Sequence, residues 1–133
     1  MISIKRRRQI KFIITLSIIL LIIIGDILTH KFTTKTVAEI SREIFLLTES
    51  VKNNKDDIQQ KLYNIEKAWE KYSEKLAYYI EHDEIEKIDT AFIKVKSFVE
   101  NDDIPSAVAE LETSKFVLEH IEKKYKFNLQ NIF

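Results

Sequence analysis

The sequence predicts an all-α protein, in which an N-terminal transmembrane helix precedes an antiparallel bundle of about four helices arranged as two αα-hairpins. The 133 residues include one Gly and one Pro, which disfavours turn-rich β-sandwiches and Gly-rich phosphate loops. A basic stretch and a long apolar run lie near the N-terminus. Beyond them, apolar residues recur at alternating steps of three and four, the period of amphipathic helices.

Composition and charge narrow the possible functions. The chain has no Cys, which excludes disulfides, thiolate metal sites and a Cys nucleophile. Lys plus Arg and Asp plus Glu both total 21, but residues 29–133 carry 16 basic and 20 acidic side chains. Because that part is net acidic, we expect no nucleic acid among its partners.

The first segment predicts a membrane span. Lys5, Arg6, Arg7, Arg8 and Lys11 precede the apolar run, and residues 10–28 form 19 residues of helix about 28 Å long, close to the hydrocarbon core of a bilayer. We therefore divide the chain into a basic cytoplasmic N-terminus (1–11), a transmembrane signal anchor (12–28) and an extracytoplasmic helical domain (29–133). The excess of Lys and Arg before the span favours the cytoplasmic N-terminus.

Two alternatives concern the exit of this span. A cleaved signal peptide would require an A-x-A-like site, and residues 25–30 offer none. Asp26 lies near the end of the span, where its carboxylate can reach the headgroup layer at low cost. The alternative role for Asp26 is an intramembrane ion or proton site.

Apolar periodicity and capping residues define the first hairpin. Thr36 and Glu39 have capping-box spacing and predict a helix over about 37–53. A second helix, capped by Asn54 or Asp56, is predicted to begin near Ile58. Its apolar stripe runs on to residue 79.

The second hairpin follows the same scheme. Asp83 and Glu86 predict the start of a third helix, and Asp103, with Pro105 in the first turn, predicts the start of a fourth. The polar segments 51–58 and 99–104 resemble each other, so the two hairpins are expected to be similar and to pack as an antiparallel bundle or as a short helical-repeat pair. The C-terminal tail, which includes Phe127 and Phe133, is expected to fold back over the bundle end.

The densest polar segment lies between the two hairpins. On one continuous helix, His82, Glu86 and Asp89 would share a face and offer one nitrogen and two oxygens to a divalent cation. The alternative is that Asp83 and Glu86 cap the third helix and that His82 lies at the C-terminal end of the second. We favour capping, and so expect no metal, no cofactor and no catalytic residues.

Aromatic side chains suggest the core and a contact surface. Trp69 and Tyr72 follow the apolar stripe of the second helix and are expected to pack in the core, although they could instead line a pocket or partner groove. Tyr78 lies off that stripe and is the better candidate for an exposed contact.

The order of these features resembles a known family. The basic N-terminus, the single span, Trp69, the segment 80–89, the acidic turn before the fourth helix, the segment 116–121 and the ending 131–133 are similar to the domain-of-unknown-function family 4363. These are small membrane proteins of anaerobic, often spore-forming Gram-positive bacteria. The resemblance implies membrane anchoring and an extracytoplasmic helical domain, and it implies no established activity, substrate or cofactor.

The sequence therefore predicts a membrane-anchored, non-enzymatic helical scaffold at the bacterial cell envelope. Its expected partners are the lipid bilayer and either another membrane or envelope protein or a second copy of the chain. The competing hypothesis is an extracytoplasmic module that senses a ligand or metal. A metal-dependent envelope enzyme is the third.

Overall fold

The described part of the chain forms a bundle of antiparallel helices. A computed structural model describes residues 3–130, the last four by their backbone alone, and within this range there are four α-helices and no strand. They are α1 (Ile4–Lys52), α2 (Ile58–Leu76), α3 (His82–Glu100) and α4 (Ile104–Gln130). Helix α1 packs against α2 and α4, and α3 packs against α4, whereas α2 and α3 make few contacts with each other. The predicted all-α bundle is confirmed.

Helix α1 joins the apolar run to the bundle without a break. Its 49 residues correspond to about 74 Å of helix. By length and composition α1 is able to cross a membrane, and none of its apolar window is buried against the rest of the described chain. The helix passes through the predicted boundary at residue 28 as regular backbone.

The predicted capping box at Thr36 and Glu39 is wrong. Both residues lie inside α1, and Thr36 is fully buried. Glu39 instead accepts a hydrogen bond from the hydroxyl of Tyr72 on α2. No Gly or Pro occurs between Asp26 and Lys52, so nothing in the backbone ends the helix, and continuing it keeps every peptide group hydrogen-bonded.

The predicted apolar stripes form the core. Residues at the alternating steps of three and four are buried on all four helices, which is the burial that amphipathic helices need from one another. The largest of the fully buried side chains are Ile40, Ile44, Leu47, Ile65, Leu76, Ile88, Leu111, Leu118 and Ile121.

The two hairpin turns share one geometry, as their similar sequences predict. Asn53 and Asn101 end α1 and α3, and each is followed by a residue with a positive φ, 46° at Asn54 and 56° at Asp102. The next N–H reaches back to a carbonyl in the last turn, with Lys55 N 3.0 Å from Ser50 O. The equivalent distance from residue 103 to residue 98 is 2.9 Å. Both turns are Schellman motifs.

Three predicted boundaries shift in the structure. Helix α2 begins after Asp57 rather than after Asn54 or Asp56, and it ends at Leu76 rather than near residue 79. Helix α3 is preceded by Glu81, so the predicted capping pair of Asp83 and Glu86 lies inside the helix. His82 is therefore the first residue of α3 and does not lie at the end of α2.

The start of α4 agrees with the prediction, but its end differs. The carboxylate of Asp103 accepts a hydrogen bond from the N–H of Ser106 at 3.2 Å, as expected of an N-cap. The backbone stays helical through Gln130, so the predicted tail does not begin to fold back before that residue. Residues 131–133 lie outside the described residues.

Candidate functional site

The residues predicted as a possible metal site lie on one helix, and they are not gathered into a group of three metal ligands. His82, Glu86 and Asp89 are all exposed on α3. Asp89 accepts a hydrogen bond from Trp69 Nε1 at 2.5 Å. Among the described residues, no group of three or more His, Asp or Glu side chains is close enough to hold a metal ion.

Trp69 and Tyr72 lie in the core and Tyr78 does not. The exposed fractions of the three residues are 5%, 3% and 89%. The Trp69 ring packs edge-on against Phe92, with 6.0 Å between ring centroids and an interplanar angle of 84°. Trp69 and Asp89 also line an open groove of about 400 Å³ between α2 and α3. Trp69 is therefore both a core residue and part of the wall of this groove.

A second cavity lies where the apolar run of α1 meets the bundle, and it is not one of the sites predicted from the sequence. We call it the junction cavity, and its volume is about 440 Å³. Helix α1 supplies most of its lining, and the turn before α3 and the last part of α4 each add a tyrosine. The described lining residues are Ile22, Gly25, Asp26, Thr29, His30, Thr33, Tyr79 and Tyr125.

Hydrogen bonds fix the two tyrosines at this cavity. The hydroxyls of Tyr79 and Thr33 are 2.8 Å apart, and Tyr79 also donates to the carbonyl of Thr29 at 3.3 Å. The rings of Tyr79 and Tyr125 are T-shaped, with centroids 6.0 Å apart. The hydroxyl of Tyr125 accepts from the N–H of Glu81 at 3.2 Å, which holds the α2–α3 turn against the end of α4.

The lining includes several polar side chains and carries one formal negative charge. Burial raises the pKa of Tyr79, and burial also raises the pKa of Tyr125, so both hydroxyls are neutral around pH 7. The charged lining side chain among the described residues is Asp26. The Nδ1 atom of His30 is buried and has no hydrogen-bond partner within the described chain, although buried polar atoms normally have one.

Next to the cavity lies a group of charged side chains on α3 and α4. The ammonium of Lys124 is 2.7 Å from Glu81 Oε1 and 3.3 Å from Glu84 Oε1. Glu84 is buried, and its second oxygen has no partner in the described residues. His120 Nε2 is 4.0 Å from Glu84. The Lys124 ammonium therefore partly compensates the burial of Glu84 and ties α4 to the start of α3.

A sequence signal for the junction cavity existed in part. Asp26 and His30, like Thr29 and Thr33, are separated by four residues and so share a face of a helix that continues past residue 28. Because the helix was predicted to start at Thr36, the residues before it were not expected to share a helical face. The approach of Tyr79 and Tyr125 depends on the packing of the bundle and has no local signal.

Comparison with known proteins assigns a family without an activity. The family model described as "Domain of unknown function (DUF4363)" matches residues 27–132. No curated protein and no solved structure matches the chain.

Proposed function

Because this chain belongs to the DUF4363 family, for which no activity is assigned, we propose its function from its own geometry. We propose that it is a single-span, membrane-anchored helical scaffold that acts at the cell envelope by binding another protein. The N-terminus is cytoplasmic and the bundle is extracytoplasmic in this proposal. It assigns no reaction and no cofactor to the chain.

One observation carries the membrane anchoring. The apolar side chains of α1 between residues 10 and 28 are largely exposed, on every side of the helix. Burying apolar surface contributes about 25 cal/mol per Å², so a bare helix of this length is strongly unfavourable in water. A bilayer covers all sides at once. The large exposed side chains are Ile10, Phe12, Ile13, Ile14, Leu16, Ile18, Ile19, Leu20, Leu21, Ile22, Ile24, Ile27 and Leu28.

The bundle then lies directly on the membrane surface. Tyr79 contacts Thr29 and Thr33. Thr29 directly follows Leu28, the last residue of the proposed span, and Thr33 lies one helical turn further on. The α2–α3 turn is therefore at headgroup level. Tyr78 in this turn is 89% exposed, and tyrosines are enriched at membrane interfaces because they combine an apolar ring with a polar hydroxyl. We assign its contact to the headgroup layer.

Exposed apolar side chains support a protein partner. Phe45, Ile93 and Phe116 are 63%, 70% and 69% exposed on α1, α3 and α4. They are the positions at which a partner helix would gain the most apolar burial.

Cysteine labelling tests the anchoring and the orientation. A cysteine at Asn54, in the turn far from the span, should react with a membrane-impermeant thiol reagent on intact cells, whereas a cysteine at Ser3 should not. The chain has no native Cys, so each signal has one source. Labelling at Ser3 alone would reverse the orientation, and release of the Asn54 variant into the medium would show that the anchor is cleaved.

Photo-crosslinking in native membranes tests the scaffold. A photoreactive amino acid at Phe45, Ile93 or Phe116 should give a discrete protein adduct that mass spectrometry identifies. The matched control is the exposed polar Lys55 in the α1–α2 turn. A scaffold requires an adduct from at least one apolar position and a weaker one from Lys55. Bilayer-anchored protein without any adduct would contradict it.

The junction cavity favours a ligand-binding module as the second candidate. Its volume of about 440 Å³ is within the range of small-ligand sites, and its lining combines a carboxylate, an imidazole and four hydroxyls. A module of this kind would keep the same membrane anchor. The two candidate functions differ in the binding site: a scaffold would bind its protein partner on the outer surface of the bundle, and a ligand-binding module would bind a small molecule in the cavity.

A further inference from the structure

We propose that the junction cavity binds the primary ammonium group of a phospholipid headgroup of the phosphatidylethanolamine type. This inference rests on the proposed membrane anchoring, because the lipid must reach the cavity from the bilayer. It adds a ligand class to a site for which neither the family nor the fold implies one.

The position of the cavity matches the headgroup layer. Its lining residues on α1 extend from Ile22 to Thr33, about 16 Å along the helix axis, and so lie on both sides of Leu28, where the proposed span ends. Ile22 lies at the membrane side, whereas the hydroxyls of Tyr79 and Thr33 lie at the bundle side. A phospholipid has the same order, with an apolar chain below and a polar headgroup above.

The charge of the lining selects a cation. Asp26 supplies a carboxylate, and the described lining contains no Lys or Arg that would neutralise it. The remaining polar groups are hydroxyls and the imidazole of His30, which can accept hydrogen bonds when neutral. A divalent metal ion fits poorly. The described lining offers it one carboxylate, from Asp26, and one imidazole, from His30, and no group of three such ligands is assembled.

The acceptors favour a primary ammonium over a quaternary one. A primary ammonium has three N–H donors, which can reach the Asp26 carboxylate and the hydroxyl oxygens of the lining. A quaternary ammonium has none and is held mainly by the faces of several aromatic rings. In this cavity the rings of Tyr79 and Tyr125 pack against each other edge-to-face, with an interplanar angle of 80°, and do not form such a cage.

Lipid retention by the full-length protein tests this inference. The detergent-solubilised protein is mixed with equal amounts of dioleoyl phosphatidylethanolamine, phosphatidylglycerol and phosphatidylcholine, and native mass spectrometry counts the lipids that stay bound. We expect the ethanolamine lipid to be retained preferentially. Asp26→Asn should reduce that preference about tenfold, the order of one charge-assisted hydrogen bond. Equal retention of the three lipids, or a preference for either of the other two, would overturn the proposal.

Two further variants separate the cavity from general effects. Gly25→Leu leaves Asp26 in place and should obstruct the cavity, because a Cβ at Gly25 meets no atom within 4 Å and a longer side chain can be built there. It should lower ethanolamine-lipid retention as Asp26→Asn does. Asp56→Asn makes the same change of charge in the exposed α1–α2 turn and should leave retention unchanged. Unchanged retention in Gly25→Leu would contradict binding in the cavity.

Competition identifies the source of the ammonium group. Free ethanolamine at the concentration of the lipid should not displace it, because the free amine lacks the apolar chain that Ile22 and the span contact. Displacement would assign the cavity to a soluble amine and overturn the lipid proposal. If thiol labelling shows membrane insertion but no lipid preference is measured, the lipid proposal fails alone. If the chain is not in the membrane, the proposed function fails first.

Discussion

Truncation of Trp69 tests how the bundle is held together. Trp69 is 5% exposed, packs against Phe92 and donates a hydrogen bond to Asp89. Trp69→Ala removes the packing and the hydrogen bond together. Asp89 is exposed and can be rehydrated, so the loss of its partner leaves no buried charge. The cost should therefore come mainly from packing.

The expected magnitude follows from that division. Truncation of a buried Trp to Ala costs about 3–5 kcal/mol. A hydrogen bond contributes about 1 kcal/mol on average, so roughly 2–4 kcal/mol remains for packing. A domain of this size loses about 4–8 °C of melting temperature per kcal/mol, which predicts a decrease of at least about 12 °C.

Thermal unfolding of the full chain in mild detergent, followed by circular dichroism at 222 nm, measures this decrease. Trp69→Phe keeps much of the ring and should lose roughly the hydrogen-bond contribution, and Asp89→Asn should lose less. Tyr63→Ala is the matched control, because this aromatic residue of α2 is 55% exposed and should change the melting temperature little. A Trp69→Ala protein that melts with the wild type would refute core packing, and loss of a partner at unchanged melting would make Trp69 an interface residue.

Thr36→Val should raise the free energy of unfolding by about 1 kcal/mol in a urea titration, because the Thr36 hydroxyl is buried without a partner in the described chain, and a lower value would show that the hydroxyl is bonded. Asp103→Ala should lower the same free energy by about 0.5–2 kcal/mol through the lost N-cap of α4, and no change would refute the cap. The hydrogen bond to Glu39 and burial raise the pKa of Tyr72 above its ordinary value of 10.0, so the folded chain keeps this proton longer than the unfolded chain. The contribution of Tyr72 to the free energy of unfolding should be fully present below about pH 10 and should be lost as the pH rises above it. Above that pH, the free energy of unfolding of Tyr72→Phe should therefore fall less steeply with pH than that of the wild type. Parallel curves of the two proteins would exclude a role for Tyr72. Zinc, manganese or calcium should not shift the melting temperature, and a shift abolished by His82→Ala would restore the metal hypothesis.

The core could be predicted from sequence because burial on a helix is a periodic, local property. Ile40, Ile88 and Leu118 lie on the apolar stripes of α1, α3 and α4 and are fully buried. The cap of α4 was equally local, since Asp103 and Pro105 are adjacent to the helix they begin.

The helix starts that failed were decided by tertiary contacts. Thr36 has the sequence of a cap, but α1 continues because its face packs against α2 and α4. At the start of α3, Tyr79 and Tyr125 fix the preceding turn, and this places Glu81 rather than Asp83 at the N-cap. The junction cavity depends on the continuation of α1 past Thr36 and on the position of the turn that carries Tyr79. Because tertiary contacts decide both, local sequence patterns could not predict the cavity.

The continuous α1 helix also fixes the helical phase between the span and the bundle. Each residue advances the helix by about 100°, so the face of α1 that carries Ile40 and Leu47 has a set azimuth relative to the face that carries Asp26. In the proposed membrane anchoring, rotation of the span within the bilayer would therefore turn the bundle by the same angle, and tilt of the span would tilt the bundle over the headgroups. The backbone has no flexible joint between the proposed span and the bundle, because α1 is continuous there. Under that proposal, the orientation of this one helix in the membrane would set which surface the bundle presents to neighbouring molecules.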